Sequence, residues 1–167
     1  MASIRRTLSR TMAKQASLAV SDWSFADPQN NARGLSFSQI SAAGIPVAYT
    51  FEGKSHFEVS TVGPDGQRKT PGLQLQLSRM AEDELDCVMA CVQHEVVENA
   101  ARFGMTPVEA RAKFKSPLSK NDTYPANLRV KTTETRYWKD GALTAAPDSY
   151  ARKKWQAVVL FKSLWFA

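Results

Sequence analysis

The chain has 167 residues and an apolar content of 43%, which is enough for one domain with a sizeable core. Its mean hydropathy is −0.35 and no apolar run is long enough to cross a bilayer, so the composition excludes a membrane-spanning helix. The net charge of +6 and the pI of about 9.5 fit a nucleic acid or another anionic surface as partner, although many ordinary proteins are equally basic.

The positive charge is concentrated in two parts of the chain. Residues 1–21 contain four cations and no acid, and residues 111–139 contain eight cations against two acids. Residues 79–102, which lie between these parts, carry a net charge of −4. Segregation of this kind is typical of a protein that binds a polyanion.

Residues 1–21 are rich in Arg, Ser and Thr and are predicted to form a basic arm in front of a single β-rich domain at 22–167. The same composition fits a mitochondrial transit peptide. We favour an arm that contacts nucleic acid. The sequence therefore predicts a cytoplasmic protein, with mitochondrial import as the alternative.

Short antiparallel strands are predicted in the first half of the chain. Alternation of apolar residues and the spacing of turn residues place them at 35–40, 45–51, 56–62 and 72–77. The alternation is clearest in the last of these strands, where three leucines alternate with glutamines. Gly63-Pro64-Asp65-Gly66 predicts a tight turn before it.

The hydrophobic period then changes from that of a strand to that of a helix. From Glu82 to Phe103, apolar residues recur at steps of three or four or their multiples, which predicts one long amphipathic helix. Acidic residues crowd its first turns, where the positive end of the helix dipole favours them. The segment Thr106-Pro107-Val108-Glu109 is a capping box and predicts a second, short helix ending near Phe114.

Ser116 to Gly141 is the segment with the strongest functional signal. Within it, Asn127 to Trp138 alternates cationic with small or apolar residues, which predicts one extended strand with a cationic face. A half-buried strand with a solvated face is the simpler alternative. Asp140-Gly141 then predicts a hairpin turn, and Trp155 to Trp165 is predicted to be a buried strand.

Cys87, Cys91 and His94 lie on one face of the predicted long helix, where a zinc site could use them. The segment lacks a CxxC knuckle, so we expect these residues to pack on a half-buried face and predict neither a metal nor another cofactor. No nucleophile elbow, phosphate-binding loop or dinucleotide fingerprint is present. The sequence favours a binding protein over an enzyme, with a small metal-dependent enzyme as the least favoured option.

Aromatic rings next to cations recur in four places along the chain. A sequence-tolerant groove for single strands needs both, because every base has a ring face and every nucleotide a phosphate. For any one ring, packing in the core beside a cation is the simpler explanation. The predicted nucleic-acid-binding residues are Tyr49, Lys54, Lys115, Lys120, Tyr124, Arg129, Lys131, Arg136, Tyr137, Trp138, Lys139, Lys153 and Lys154.

The order of these parts resembles the single-stranded DNA-binding proteins of tailed phages and large DNA viruses. The matching parts are the strands of 35–77, the helix of 82–103 and the segment of 115–131, with its loose Tyr-Pro…Leu-x-x-Lys pattern. The resemblance implies an α+β, mainly β fold: an OB-like antiparallel barrel with one long amphipathic helix and a short second helix inserted between strands. It departs at residues 162–167, which are basic and aromatic where such proteins commonly carry an acidic tail that recruits replication partners.

The sequence thus predicts a non-catalytic, sequence-tolerant protein that coats single-stranded DNA in viral replication or recombination. RNA as the partner and a homo-oligomeric state are both left open, and no membrane contact is expected. The alternative is a structural or assembly protein, such as a virion component, in which the basic arm and the apolar C-terminal segment make subunit contacts.

Overall fold

A computed structural model describes residues 20–62 and 66–166 of the chain. The protein is α+β and mainly β, with antiparallel sheets and two helices. The predicted arm, except for its last two residues, lies outside the described residues, and so do residues 63–65 of the predicted tight turn.

The strands are β1 (Trp23–Phe25), β2 (Gln29–Asn30), β3 (Ser36–Ala42), β4 (Val47–Ser55), β5 (Ser60–Val62), β6 (Arg68–Leu77), β7 (Leu118–Ser119), β8 (Asn127–Lys131), β9 (Tyr137–Lys139), β10 (Ala142–Thr144), β11 (Lys153–Phe161) and β12 (Ser163–Phe166). The helices are α1 (Arg79–Glu98) and α2 (Pro107–Lys113), and short 3-10 turns occupy Val20–Asp22 and Ala100–Phe103.

The described strands form three sheets. One has the order β1-β3-β12 with β2 also paired to β3, one is the β9–β10 hairpin, and the largest has the order β11-β4-β6-β8-β7 with β5 also paired to β6. The central pairs of these sheets, among them β3 with β12, β4 with β6 and β6 with β8, run antiparallel. No closed barrel is formed by the strands that the structure describes.

The chain divides into two compact units. The first comprises residues up to 50, residues 84–115 and residues 158 onwards, and the second comprises residues 51–83 and 116–157. This division into units does not test whether 22–167 is a single domain, which stays a prediction.

The core of the first unit contains the apolar stripe of α1. Val88, Val92 and Val96 are buried, in one cluster with Trp23 of β1 and Ile40 of β3. The predicted helical stripe is therefore confirmed, because residues three and four apart on a helix share one face.

The predicted ends of the long helix are wrong, because α1 begins at Arg79 and ends at Glu98 instead of Glu82 and Phe103. The glycine stop signal and the predicted start of the second helix are confirmed. The 3-10 turn after α1 ends at Gly104, whose φ of +69° is the left-handed conformation that favours glycine at a helix end. At the start of α2, Thr106 Oγ1 accepts a hydrogen bond from the backbone N–H of Glu109 at 3.2 Å. Thr106 N–H donates to the Glu109 carboxylate at 2.8 Å, which completes the capping box.

In the second unit, β6 pairs with β4 on one side and with β8 on the other. Its leucines, Leu73, Leu75 and Leu77, are all buried, whereas the intervening glutamines are only partly covered. The predicted alternation is confirmed, and it gives the sheet one apolar and one polar face.

Three strand predictions are wrong in extent. The strand predicted at 56–62 exists only as β5, because β4 extends to Ser55 and an irregular segment follows. The run from Asn127 to Trp138 is two strands, β8 and β9, with a turn between them at Glu134, whose φ is +64°. Thr132 N–H still donates to the Pro71 carbonyl at 3.1 Å, but proline has no N–H to return the bond, so the ladder stops there.

The third error concerns Trp155 to Trp165, for which the sequence predicts one buried strand. It is divided into β11 and β12 at Lys162, and alternate residues of β11 are exposed. Val158 and Leu160 are 53% and 50% exposed. β11 lies at the end of its sheet, and described residues cover only one of its faces. The continuous apolar run was therefore not evidence that both faces are buried.

A buried carboxylate joins α1 to the segment before β8. Glu82 Oε2 accepts a hydrogen bond from Ala126 N–H at 3.0 Å, and Ala126 is completely buried. Replacing Glu82 with Ala leaves that buried N–H without its partner, so we expect a loss of about 1–3 kcal/mol in the free energy of unfolding. Urea denaturation measures it.

The neighbouring exposed acid, Asp83, provides the matched control. Asp83→Ala should change the free energy of unfolding by no more than about 0.5 kcal/mol. Equal losses in the two variants would show that the Glu82 bond has no special role.

Candidate nucleic-acid interface

The polar face of the second unit's sheet is built by alternate residues of adjacent strands. Lys54 on β4 is directly opposite Gln76 on β6, and Gln76 is directly opposite Asn127 on β8. Gln74 is opposite Arg129 in the same way. Because side chains alternate along each strand, these polar residues lie on the face of the sheet opposite the β6 leucines.

A cleft of about 350 Å³ opens among β4, β6 and β11. Its polar lining comes from Glu52 and Lys54 on β4, Gln76 on β6, and Lys154 and Gln156 on β11. Lys54 and Lys154 form no ion pair with any residue that the structure describes. The cleft therefore holds two ammonium groups that are available to an anion.

One residue in the cleft is held in place by a neighbour. Gln76 Oε1 lies 2.9 Å from Nε2 of the His56 ring, within hydrogen-bond distance. The side-chain amide of Gln156, in contrast, makes no hydrogen bond to the part of the chain that is described. The two glutamines thus differ in how much of their hydrogen-bonding capacity is already used.

Arg129, a predicted phosphate contact, has a structural role in this conformation. Its guanidinium donates to the carbonyls of Ser60 at 2.8 Å, Thr70 at 3.0 Å and Gly72 at 3.4 Å. A Cβ at Gly72 would lie 2.8 Å from Arg129 Cζ, so the side chain passes where only glycine leaves room. The alternating pattern predicted the strand correctly but did not reveal this contact.

Tyr49, predicted as a base-stacking ring, is inaccessible to a base. It is 7% exposed and belongs to the first unit, where its hydroxyl donates to the Glu84 carboxylate. Burial, with the Glu84 contact adding to it, raises the pKa of Tyr49 well above its ordinary value. The ring packs in the core because it alternates in step with buried Val47 and Phe51 of β4.

Tyr137 is part of a cluster of three packed rings. Its hydroxyl lies 2.7 Å from that of Tyr150, and the Tyr150 ring stacks on Trp155 with centroids 5.7 Å apart. Trp155 Nε1 donates to Oγ of buried Ser55 at 2.7 Å. Burial and the Tyr137 hydroxyl raise the pKa of Tyr150 to about 12. Tyr137 therefore anchors its hairpin and does not present a free ring.

Trp138, next in sequence, has the opposite orientation, as expected for adjacent strand residues. It is 56% exposed and stands directly across the β9–β10 hairpin from Leu143, which is 63% exposed. The predicted turn is confirmed, since Asp140 and Gly141 have φ values of +51° and +80°, the pattern of a type I′ hairpin. The hairpin thus carries one exposed ring, with exposed Arg136 and Lys139 on either side in sequence.

The structure does not bring all predicted residues into one unit. Tyr49 and Lys115 belong to the first unit and the other predicted residues to the second. The predicted residues that lie in the second unit and are exposed are Lys54, Lys120, Tyr124, Lys131, Arg136, Trp138, Lys139, Lys153 and Lys154.

Glu58 holds the loop that leads into β11. Its carboxylate accepts hydrogen bonds from the N–H groups of Tyr150 at 2.9 Å and Ala151 at 3.2 Å, and from the Ser149 hydroxyl. These bonds, that of Ser149 first, hold the pKa of Glu58 below its ordinary value of 4.5, and the charge of Lys153 contributes. The sequence had no signal for this contact, because the partners are about 90 residues apart.

The other sequence predictions concerned metals and membranes. Cys87, Cys91 and His94 are exposed, contrary to the half-buried packing that was expected, and the two cysteines are free. Within residues 20–62 and 66–166, no group of three or more His, Cys, Asp or Glu side chains could hold a metal ion. No described helix is both long enough and apolar enough to cross a membrane.

No protein-family model, curated protein or solved structure matches the chain.

Arg129→Ala should reduce stability as well as any binding. It removes charge-assisted bonds to three carbonyls, so we expect a loss of about 2 kcal/mol in the free energy of unfolding, measured by urea denaturation. Lys131→Ala removes an exposed cation from the same strand and should leave stability within about 0.5 kcal/mol of the parent. An Arg129→Ala variant as stable as the parent would contradict the structural role.

Glu58 should give the protein a pH-dependent component of stability. Because its folded-state pKa is lowered, its contribution is present above the ordinary value of 4.5 and is lost as the pH falls through the folded-state pKa. Glu58→Gln should therefore lower the melting temperature at neutral pH, and the difference from the parent should shrink in acid. A difference that is constant with pH would assign the effect to packing instead.

Proposed function

We propose that the protein binds single-stranded nucleic acid, with DNA as the first candidate, and that the polar face of the second unit's sheet is the binding surface. The observation that carries the proposal is the cleft in which Lys54 and Lys154, neither of them ion-paired to a described residue, stand beside glutamine side chains. Ammonium groups can contact successive phosphates, and amides can bond to unpaired base edges.

The charge of the neighbouring strand supports the same partner. Lys131 is exposed at the end of β8, two residues after Arg129 and therefore on the same face, whereas Lys153 is adjacent to Lys154 on β11 and points to the other face. A strand laid along this face would meet cations at more than one point, and release of its counterions would drive binding. The same effect makes the predicted affinity strongly salt-dependent.

An exposed ring supports a single strand over a duplex. Trp138 offers a large ring surface to solvent, and a stacked base needs a partner that is not already paired within a helix. Exposed Arg136 and Lys139 add cations to the same hairpin. Trp138 is thus the candidate stacking residue, in place of Tyr49 and Tyr137.

The proposal has three further components, which were predicted from the sequence. They are a relation to OB-like barrels, a non-catalytic role in viral replication or recombination, and action in the cytoplasm of a host cell. Their support is the resemblance in the order of parts and a mainly β fold with a cationic sheet face.

A second candidate function is assembly with other subunits. Val158 and Leu160 on β11 and Trp165 on β12 are exposed apolar residues of the first unit. Exposed apolar residues on a strand at a sheet end are suited to contacts between proteins. This candidate would take the place of the first if the parent protein binds no single strand at low salt and associates with itself in a concentration-dependent way.

A binding titration at several salt concentrations tests the proposal. Lys54→Ala combined with Lys154→Ala should weaken binding to all single-stranded oligonucleotides and reduce the log–log salt slope by about 0.7 for each phosphate that is no longer neutralised. Lys113→Ala, which removes an exposed cation from α2 in the first unit, is the control and should change neither quantity.

Removal of the exposed ring should act differently from removal of charge. Trp138→Ala should cost roughly 1–3 kcal/mol of affinity with little change in the salt slope. Tyr137→Phe keeps the ring and removes the hydroxyl contact, so it should leave affinity unchanged. Full-strength binding by both the double lysine variant and Trp138→Ala would place the binding surface elsewhere.

A further inference from the structure

The cleft contains one group that a plain phosphate-binding groove would not need. Glu52 stands two residues before Lys54 on the same side of β4 and lines the cleft with both lysines. It is exposed and forms no ion pair with the residues that the structure describes. A carboxylate at this position repels phosphate, so it reduces affinity unless it has a partner of its own on the ligand.

The bases differ in how well they can provide that partner. An ionised carboxylate only accepts hydrogen bonds. Cytosine has an amino donor at N4, adenine has one at N6 and guanine has one at N2, whereas the one donor of thymine, N3–H, lies between two carbonyl oxygens that a carboxylate repels. A base with an amino group would therefore be attracted to Glu52, and the thymine O4 would be repelled.

The remaining polar groups of the cleft complement such a ligand. Gln156 has its amide free of described partners, and Gln76 is held by His56, so each can offer a donor or an acceptor to a base edge. Lys54 and Lys154 can take the phosphate.

We propose that this cleft is a base-selective nucleotide site, in which Glu52 favours bases that carry an exocyclic amino group and disfavours thymine. The proposal rests on the proposed function, because it assumes that a single strand follows this sheet face. It replaces the sequence-tolerant binding predicted from the sequence with a preference at one position of the strand. Cytosine is the sharpest comparison with thymine, since the two pyrimidines have the same ring size.

Oligo-dC and oligo-dT of equal length, compared at neutral pH and constant salt, test the preference. The parent protein should bind oligo-dC more tightly than oligo-dT by about tenfold or more, as expected for one additional hydrogen bond to a charged group. Glu52→Gln should bring the ratio of the two dissociation constants close to one, because an amide can donate to O4 as well as accept from N4.

The control for a general change of charge is Glu98→Gln, which removes an exposed carboxylate from α1 in the first unit. It should leave the dC/dT ratio at the parent value. A ratio near one in the parent protein, or a preference that survives Glu52→Gln, would overturn the proposal.

A second measurement separates this proposal from the proposed function. In an NMR titration of the parent protein, dCMP should shift the side-chain amide signals of Gln76 and Gln156, and dTMP should shift them less. Strand binding without base preference and without these shifts would contradict the selective site and leave the strand-binding function supported. Selective dCMP shifts without any strand binding would contradict the strand-binding function and support the nucleotide site. If neither strand binding nor dCMP shifts are observed, both proposals are rejected.

Discussion

The alternation of β6 is the constraint on which the second unit depends. Burial of Leu73, Leu75 and Leu77 contributes roughly 1.5–3 kcal/mol each, and all three lie on one face of the sheet. A slip of one residue in the pairing would turn these leucines to solvent and the glutamines inward. The register with β4 and β8 is therefore fixed by burial. That register puts Lys54 beside Gln76, so the apolar core determines the arrangement of the polar face.

Side chains from distant parts of the chain then secure the strands that flank β6. Arg129 bridges from β8 across Gly72 to Ser60, which ties β5 to the sheet through carbonyl groups. Ser55, at the end of β4, accepts a bond from Trp155 and donates to the Tyr150 carbonyl. Each of these contacts involves a cationic or aromatic residue type that, from the sequence alone, could equally well bind a ligand. The cationic and aromatic content of the second unit is thus shared between structure and the candidate interface.

Local patterns predicted those parts of the fold whose causes are local. The period of α1, the capping box of α2 and the Asp140-Gly141 turn each follow from residues within a few positions of one another, and the structure confirms all three. The leucine alternation of β6 belongs to the same class. In each case the backbone conformation is set by one short segment, so the sequence contains the whole argument.

The errors arose where partners distant in sequence decide the outcome. Tyr49 lies next to a cationic segment in sequence, but Glu84 and the core of the first unit determine where its ring lies. Arg129 has the alternation of a phosphate contact, but three carbonyls outside its own strand occupy its guanidinium. Trp138 and Lys54 were predicted by the same rule and are exposed. A count of cations and rings therefore does not separate the side chains that anchor the fold from those that are available to a ligand.

The composition of the polar face explains why charge alone is an incomplete account of it. A face made only of lysines would attract any polyanion, duplex or single-stranded, because the attraction to phosphate carries no information about the base. A carboxylate lowers that general attraction, and carboxylate and amide groups form directional bonds that only some bases can complete. In the proposed site, Glu52, which lines the cleft with Lys54 and Lys154, would exchange affinity for discrimination in this way, and a protein gains from that only if unpaired base edges reach the sheet. The acid in the cleft is consequently the feature that distinguishes the proposed base-selective site from a plain phosphate-binding groove.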